Sequence, residues 1–507
     1  MVPVPLATSR RRVLPDVWCQ EGVRPDTGHL NTPTPCDRCP DRSPGRQNGH
    51  VPETQPHASG QTTWTAPTAS GPVRATVTLP GSKSMTARAL VLSALADAPG
   101  ALHRPLLARD TTLMAAGLRA MGTGVDDADR DRWLVAPAPL HGPASIDVGL
   151  AGTVMRFLPP VAALADGRVE FDGDPHARKR PLAPLVRALS DLGVRVAASP
   201  AGGLPLTVDS AGEVTGGSVT IDASTSSQFV SALLLAAPAF RQGVVVRHEG
   251  PPVPSAPHLR MTVAMLRDAG VEVDDAVPDV WSVAPGKLTG RAWPIEPDLS
   301  GAAPFLAAAM VTGGEITVPG WPRETTQPGD QLRELLTAMG ATITVDDAGL
   351  SIRGTGTIRG IDVNLSDVSE LTPVLAALAV LADGPSRLRD VAHIRGHETD
   401  RLAALATELS RLGADVVEYP DGLEIRPRPL HGAPFATYAD HRMAHAAAVI
   451  GLVVPGVVLD DVACTSKTMP QFPPLWRDLA AGEPGRATGD LDPAAAAKAA
   501  ERPEATD

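Results

Sequence analysis

Residues 80–88 read PGSKSMTAR, and this stretch carries the signal from which the fold can be worked out. It follows an alternating apolar run over 73–79 and opens an Ala- and Leu-rich helical pattern that reaches Ala96. A strand, a glycine turn and a helix start with Lys83, Ser84 and Arg88 suit an anion, because free N–H groups and the positive end of the helix dipole face it. A nucleotide P-loop is excluded, because the glycine spacing that it requires before the lysine is absent. We predict an anion site of another kind.

The helix start at Ser82 is the first of six that recur at intervals of 71 to 73 residues. Each has a small or acidic residue that can cap the first turn of an Ala- and Leu-rich helix. The six positions are Ser82, Thr153, Ser226, Asp298, Ser369 and Asp440. A second series of helical patterns ends in glycine, which suits the left-handed position that closes a helix. These glycines are Gly122, Gly193, Gly270, Gly340 and Gly413, spaced 70 to 77 residues apart.

The helix starts and the helix-closing glycines recur with the same period of about 72 residues. This agreement predicts an α/β protein built from six copies of a unit, each with two helices and several short strands. A period of this length is too long for the common solenoids, so we expect the copies to form compact cores. If three copies make one domain, two domains could face each other with the six helix N-termini around one cleft.

Composition limits the partners of the chain. The 507 residues are enough for two or three domains, and 43% of them are hydrophobic. The net charge of -12 argues against a nucleic-acid partner, so a local basic cluster must hold any anionic ligand. The longest apolar run, 444–459, is interrupted by His445 and Pro455 and indicates a buried helix and strand rather than a membrane span. Without a visible secretory signal, and with only four cysteines, the chain is predicted to be cytoplasmic.

Both ends of the chain are predicted to be disordered. Residues 1–61 are rich in Pro, Arg, Asp, Gly and Thr without sustained periodicity, and 481–507 are similarly biased. Cys36 and Cys39, with Cys19 and His29 or His50, have the residue types of a zinc site, but one cysteine pair is weak evidence for it. No metal site is therefore predicted.

Basic, hydroxyl and acidic residues cluster just after the six helix starts. They include Lys83, Ser84, Arg88, Arg156, Arg180, Ser226, Ser227, Ser255, His258, Glu370, Glu398, Arg401, Arg442 and Lys467, and the same segments contain Gly152 and Gln228. Considered one at a time, each of these residues could simply cap a helix or carry a solvent-exposed charge. Together they indicate a ligand with more than one phosphate or carboxylate, because several Arg and Lys recur at the same phase. Glu370 and Glu398 are candidates for a base and an acid.

Six motifs in order carry a family resemblance. They are PGSKS at 80–84, AGTVMR at 151–156, SSQF at 226–229, ETDR at 398–401, DHRM at 440–443 and KTMP at 467–470. They resemble the 5-enolpyruvylshikimate-3-phosphate (EPSP) synthase family of enolpyruvyl transferases, over about 62–480. The resemblance implies a two-domain inside-out α/β barrel of six βαβαββ repeats. It implies one domain from 62–81 plus 297–480 and another from 82–296, with crossovers near Pro80-Gly81 and Glu296-Pro297.

The implied reaction transfers the enolpyruvyl group of phosphoenolpyruvate to the 5-hydroxyl of shikimate 3-phosphate and releases phosphate. It belongs to the shikimate pathway of aromatic amino acid biosynthesis and proceeds by addition and elimination through a tetrahedral ketal. By resemblance, Glu370 is the base that takes the hydroxyl proton, Glu398 is the acid that protonates the methylene carbon, and Lys83 lies between the two substrates. No metal or organic cofactor is implied, and a monomer is expected.

The resemblance also assigns two sets of binding residues. Those for shikimate 3-phosphate are Lys83, Ser84, Arg88, Ser226, Ser227, Gln228, Ser255, Glu370, His393 and His397. Those for phosphoenolpyruvate are Lys83, Gly152, Arg180, Gln228, Arg401, Arg442 and Lys467. Gly152 keeps a small residue beside the phosphoenolpyruvate site, which predicts inhibition by glyphosate, although Phe157 departs from a frequent Pro nearby.

Four positions at the implied site depart from the family pattern. Glu370 stands where many members have Asp, and His258, His393 and His397 stand where Tyr, Asn and Lys are common. Substrate contacts at the three histidines therefore stay open.

Two alternatives remain at this point. A UDP-N-acetylglucosamine enolpyruvyl transferase would have Asn in place of Ser84 and a Cys in a mobile loop, whereas the one core cysteine, Cys464, lies near the C-terminal end. A non-catalytic anion-binding paralogue should lack a carboxylate or a clamp arginine, and none of the matched ones is missing.

Overall fold

The computed structural model describes residues 63–482. The predicted N-terminal extension, 1–61, with its Cys36 and Cys39 pair lies outside the described residues. Of the tail predicted over 481–507, Ala481 is the last residue of a helix and Gly482 follows it, so the start of the predicted tail was wrong, and 483–507 lie outside the described residues.

The described residues form twelve α-helices of two kinds, which alternate along the chain. They are α1 Lys83–Ala94, α2 Arg109–Ala120, α3 Gly152–Ala162, α4 Ala183–Asp191, α5 Gln228–Ala236, α6 Pro257–Asp268, α7 Ala303–Thr312, α8 Leu332–Ala338, α9 Thr372–Ala379, α10 Arg401–Arg411, α11 His441–Gly451 and α12 Phe472–Ala481. Odd-numbered helices are rich in Ala, Leu and Val, and almost all of their residues are buried. Even-numbered helices bury one face only. The first kind therefore lies inside the protein and the second nearer to solvent.

Six small sheets flank these helices. Their strands are β1 Trp64–Thr65, β2 Arg74–Thr76, β3 Gly100–His103, β4 Gly124–Asp126, β5 Arg132–Ala136, β6 Ala144–Asp147, β7 Asp166–Asp172, β8 Arg195–Ala198, β9 Leu206–Ala211, β10 Gly217–Ile221, β11 Val244–His248, β12 Val273–Asp274, β13 Val280–Val283, β14 Ala292–Pro294, β15 Glu315–Val318, β16 Thr342–Asp346, β17 Gly349–Arg353, β18 Asp362–Asn364, β19 Ser386–Arg389, β20 Asp415–Tyr419, β21 Gly422–Arg426, β22 Pro434–Phe435 and β23 Val458–Leu459. The sheet orders are β14-β3-β5-β4, β6-β7-β9-β8, β10-β11-β13-β12, β2-β15-β17-β16, β18-β19-β21-β20 and β22-β23-β1.

Five of the six sheets have four strands in one pattern, which establishes the repeat. In the sheet of β6 to β9, the first pair is parallel, with Ile146 beside Phe171, and the other two pairs are antiparallel. Together with α3 and α4 these strands make one βαβαββ unit. Two units borrow their first strand from a distant part of the chain, because β14 pairs with β3 and β2 pairs with β15, both in parallel.

The two chain segments predicted as crossovers lie side by side. Ser82 N donates to Glu296 O at 2.7 Å, and Asp298 N donates to Pro80 O at 2.9 Å. The first of these segments requires glycine at position 81, because a Cβ on Gly81 would lie 2.1 Å from the carbonyl oxygen of Arg104.

The helix-closing glycines are confirmed. Gly122, Gly193, Gly270, Gly340 and Gly413 have φ from +85° to +112°, the region that favours glycine. Gly482 follows α12 with φ +71°, which makes it a sixth member of the series, beyond the five that were predicted.

The caps are only partly as predicted. The side chains of Ser82 and Asp440 accept from Met85 N and Arg442 N. Thr153 lies inside α3 and Ser369 is the first residue of a 3-10 turn, so the capping predicted for these two is wrong.

Two separate hydrophobic clusters form the core. One contains buried residues from 66–79 and 299–480, and the other contains residues from 87–295. We propose that they are the cores of two domains, 62–81 plus 297–480 and 82–296.

Candidate active site

The N-terminal ends of the odd-numbered helices surround a cavity of about 150 Å³. Every residue predicted for the site lines it. These are Lys83, Ser84, Arg88, Gly152, Arg180, Ser226, Ser227, Gln228, Ser255, Glu370, His393, His397, Glu398, Arg401, Arg442 and Lys467. His258 lines it as well. The six-fold repeat thus brings together side chains that are up to 384 positions apart in the sequence.

The helix starts supply these side chains directly. Lys83, Gly152 and Gln228 are the first residues of α1, α3 and α5. Glu370 lies in the 3-10 turn that leads into α9, and Arg442 is the second residue of α11. Unpaired N–H groups of the first turns add to the positive potential of the cavity.

One end of the cavity is an ion network around Glu398. Its carboxylate accepts from Lys467 Nζ, and from Arg401 Nη2 at 3.0 Å. Arg401 also donates to both oxygens of the fully buried Asp440, at 2.7 and 3.0 Å. Asp440 in turn accepts from the backbone N–H of Arg442 at 2.9 Å. The side chains of Arg401 and Lys467 are therefore held in place, which suits contacts to a carboxylate or phosphate.

The network holds Glu398 as a carboxylate. Burial acts to raise its pKa, but the charges of Lys467, Arg401 and Arg180 outweigh burial, so the pKa lies well below its usual range. For Arg401, burial acts to lower the pKa, and Asp440 and Glu398 raise it beyond its already high value.

Gly152 lies between two guanidinium groups. Arg156 donates to Gln228 Oε1 at 2.9 Å and to Pro181 O at 3.2 Å, and Arg180 donates to Leu150 O at 3.1 Å. A Cβ on Gly152 would lie 2.9 Å from Arg156 Nη1 and 3.1 Å from both terminal nitrogens of Arg180. Burial and the neighbouring Arg180 lower the pKa of Arg156 well below its usual value. An anion at this place would be favoured because it would relieve the repulsion between the two cations.

Arg88 is a buried residue of the cavity lining. Its guanidinium donates to Thr262 Oγ1 at 2.8 Å, to Ser84 O at 3.0 Å and to His258 O at 3.1 Å. It also lies 5.2 Å from the ring centre of Phe157. None of these partners is a carboxylate, and burial lowers the pKa of Arg88 to about 9. A buried cation that has only neutral partners attracts an anionic ligand.

Glu370, in the turn before α9, lies near His258 and His393, and its charge also acts on Arg401 and Arg442. It accepts from Ser300 Oγ at 3.3 Å, and next to it the imidazole of His393 bonds Ser369 Oγ at 2.7 Å. Burial lowers the pKa of all four histidines in the lining, to about 4 for His393. They are uncharged near neutral pH and bind as polar groups rather than cations.

Lys83 is a further cation of the cavity lining. Its Nζ is 3.6 Å from Asp110 Oδ2. Burial lowers the pKa of Lys83, while Asp110 acts in the opposite direction.

Several lining residues were not assigned to a substrate by the family resemblance. Asp110, Asp298, Ser300, Arg156 and His441 all line the cavity. Arg156 and His441 stand inside the quoted motifs, and Asp298 occupies a repeat start, so those signals were available. Asp110 has no such signal, because it is one acidic residue in the first turn of an ordinary amphipathic helix.

The cavity has a charge opposite to that of the whole chain. Among the described residues that line it, seven are lysines or arginines and four are carboxylates. The described part of the chain brings no three His, Cys, Asp or Glu side chains together in a way that could hold a metal ion. Within residues 63–482, no helix combines the length and the apolar character needed to cross a bilayer.

The comparison with protein families matches residues 67–476 to the family model described as EPSP synthase (3-phosphoshikimate 1-carboxyvinyltransferase). The chain belongs to this family. It is therefore a transferase of the shikimate pathway, and its reaction is enolpyruvyl transfer.

Solved structures share the fold. Two structures of EPSP synthase from Acinetobacter baumannii match with TM-scores of 0.69 and 0.68, at 24% and 23% sequence identity. They cover 83% and 81% of this chain, and 98% and 96% of their own. The enolpyruvyl transferase NikO from Streptomyces tendae matches with a TM-score of 0.64 at 19% identity, over 80% of this chain and 95% of its own. The fold is thus the two-domain inside-out α/β fold of these enzymes.

Proposed function

We propose that the Glu398 end of the cavity binds phosphoenolpyruvate, and that shikimate 3-phosphate lies between Arg88 and Glu370. The enolpyruvyl group then passes to the 5-hydroxyl of shikimate 3-phosphate. One observation carries this assignment. The carboxylate of Glu398 bonds two cations, Lys467 and Arg401, whereas the carboxylate of Glu370 accepts from the neutral hydroxyl of Ser300. Two carboxylates with such different surroundings suit opposite proton-transfer roles.

The donor site is a clamp of four cations. Arg180, Arg401, Arg442 and Lys467 are the proposed partners of the carboxylate and phosphate of phosphoenolpyruvate. Arg401 and Arg442 are already fixed by Asp440 and by Ser300 O, the latter at 2.7 Å from Arg442 Nη1. Holding these groups in place before binding lowers the entropic cost of orienting the reactive double bond. Gly152 leaves the space beside Arg180 open.

The acceptor site combines one buried cation with hydroxyl groups. Arg88 and Lys83 supply charge, and Ser84, Ser226, Ser227, Ser255 and Gln228 supply neutral hydrogen bonds. His393 and His397 would contact the ring of the acceptor beside Glu370.

The chemistry is an addition followed by an elimination. Glu370 takes the proton of the 5-hydroxyl as its oxygen bonds to C2 of phosphoenolpyruvate, and Glu398 gives a proton to C3. The product is a tetrahedral ketal. In the second step Glu398 takes a proton back from the new methyl group, the C2–O bond to phosphate breaks, and the proton on Glu370 leaves with the phosphate. Lys83, between the substrates, offsets the negative charge that develops.

Glu398 must be protonated to act as an acid, although its pKa is low in the free protein. Phosphoenolpyruvate would draw Lys467 and Arg401 toward its own negative charges. The charges of these two cations keep the pKa of Glu398 low in spite of its burial. When the cations bind the substrate instead, the pKa of Glu398 rises. Substrate binding therefore prepares the acid.

Release of phosphate from phosphoenolpyruvate and shikimate 3-phosphate tests the proposal. Wild-type protein should release phosphate with shikimate 3-phosphate and not with UDP-N-acetylglucosamine. Glu398→Gln should abolish release while calorimetry still detects ligand binding. Glu315→Gln, which removes a carboxylate from an exposed ion pair with Arg353, is the matched control and should behave as wild type. Binding without phosphate release in the wild type would point to a non-catalytic paralogue instead.

The proposal needs no metal ion and no organic cofactor. It treats the protein as a cytoplasmic monomer without a nucleic-acid partner, in line with the net charge of -12 and the four cysteines.

A further inference from the structure

Two consecutive residues just before α11 have left-handed backbone conformations. Tyr438 and Ala439 both have φ +55°, and neither is glycine. This conformation is unfavourable for residues with a Cβ and persists only where surrounding contacts impose it. The next residue is Asp440, which accepts from Arg401 and caps α11 at Arg442. The strained turn thus lies directly against the clamp proposed for phosphoenolpyruvate.

Glu408 supplies the contacts that hold this turn. Its carboxylate is fully buried and accepts from the hydroxyl of Tyr438 at 2.7 Å and from Ala436 N at 3.1 Å. Arg411, one turn further along α10, pairs with the same carboxylate. On the other side of the turn, Asp460 Oδ1 accepts from both the N–H and the hydroxyl of Thr437 at 2.8 Å.

The hydroxyl of Tyr438 remains a donor over the working pH range. Burial, together with the bond to Glu408, raises the pKa of Tyr438 to about 12. The hydroxyl is therefore protonated near neutral pH and can donate to Glu408.

α10 holds the 436–440 segment at two points on one helix face. Arg401 and Glu408 are seven residues apart, which places them on the same face two turns away from each other. Arg401 contacts Asp440 at the end of the segment, and Glu408 contacts Ala436 at its start and Tyr438 at its middle. A change at Glu408 or Tyr438 would therefore move Asp440 relative to Arg401.

We propose that Glu408 and Tyr438 are positioning residues for phosphoenolpyruvate binding. They hold the left-handed turn that directs Asp440 toward Arg401 and starts α11 at Arg442. This inference rests on the proposed function, in which those two arginines bind phosphoenolpyruvate. Neither Glu408 nor Tyr438 lines the cavity, so their effect is indirect.

Tyr438→Phe is the main test, because it removes one hydroxyl and keeps the ring. We expect the KM for phosphoenolpyruvate to rise about tenfold, the size of effect given by one hydrogen bond to a charged group. The KM for shikimate 3-phosphate should change less than twofold. Glu408→Gln should also raise the KM for phosphoenolpyruvate. If the Glu408→Gln protein does not fold, Tyr438→Phe still tests the inference.

A rescue separates positioning from general stability. Ala439→Gly, added to Tyr438→Phe, should return the KM for phosphoenolpyruvate to within about twofold of wild type, because glycine takes the left-handed conformation without strain. Tyr419→Phe is the matched control. Its hydroxyl donates to Glu424 at 3.1 Å in the β20–β21 hairpin, away from the cavity, and its loss should leave both KM values unchanged.

Each outcome of these measurements has a different meaning. An active wild type whose KM for phosphoenolpyruvate is unaltered by Tyr438→Phe overturns the inference alone. The inference also fails if both KM values rise equally and Ala439→Gly restores neither. Wild-type protein that releases no phosphate overturns the proposed function and the inference with it.

Discussion

Gly152→Ala gives the most direct probe of the proposed phosphoenolpyruvate site. The added Cβ would lie 2.9 Å from Arg156 Nη1 and 3.1 Å from both terminal nitrogens of Arg180, closer than carbon and nitrogen normally approach. Arg156 cannot move freely, because Gln228 Oε1 and Pro181 O bind its guanidinium. Arg180 has one carbonyl partner, Leu150 O, so Arg180 is the side chain expected to shift.

The size of the effect follows from the contact that Arg180 would lose. A hydrogen bond between charged groups contributes about 1.5–3 kcal/mol, so we expect kcat/KM for phosphoenolpyruvate to fall roughly 10- to 100-fold. The KM for shikimate 3-phosphate should stay near wild type, because Arg88 and the serines are untouched. Stability should change by less than about 1 kcal/mol, since alanine favours a helix more than glycine does.

The assay is steady-state phosphate release at varied phosphoenolpyruvate and saturating shikimate 3-phosphate. Gly286→Ala is the matched control, because a Cβ there would meet no atom within 4 Å. A Gly152→Ala enzyme with kcat/KM for phosphoenolpyruvate within twofold of wild type would refute the reasoning, since the steric conflict would then have no consequence for the donor.

Three more measurements probe the same geometry. Glyphosate should inhibit phosphate release, because Gly152 leaves the space beside Arg180 open; turnover that is untouched by millimolar glyphosate would contradict this. Burial lowers the pKa of His393 from 6.5 to about 4, so the unfolded chain binds an extra proton between these values and stability falls as the pH drops from 6.5 toward 4. His393→Asn should flatten that fall by at most about 1.4 kcal/mol per pH unit in urea unfolding, and an identical slope in both proteins would argue against it. Asp440→Ala leaves Arg401 buried without its main partner and should lower the free energy of unfolding by about 3 kcal/mol or more; a loss under about 1 kcal/mol would show that the pair is not the anchor of this end of the cavity.

Much of the fold was predictable, because its signals are local. The glycines that close α2, α4, α6, α8 and α10 were found from their positions after helical patterns, and their φ values agree. Each depends on only a few neighbouring residues, so the sequence window around it contains the needed information. The caps at Thr153 and Ser369 were wrong because a helix start can shift by one or two residues without changing the repeat.

Part of the membership of the candidate site was predictable, and its interactions were not. Motif resemblance selected the residues that line the cavity, including Arg180 and Lys467. It did not indicate that both cations would donate to one carbonyl, Leu150 O, which lies 317 positions from Lys467. Asp110 beside Lys83 was also absent from the prediction, because an isolated acid in a helix carries no motif.

The sequence by itself determined that PGSKSMTAR is the first of six helix starts, that the protein is α/β, and that it resembles one family of transferases. These properties depend on periodicity and on short motifs, which can be identified in the linear sequence. Only the tertiary structure decided which charges meet. It set Glu398 against Lys467 and Arg401, and it fixed the strained turn at Tyr438 through Glu408. The physical reason is that burial and charge act through space. The ionisation of Glu398 and the orientation of the Asp440 side chain therefore depend on residues that only the fold brings within hydrogen-bond distance.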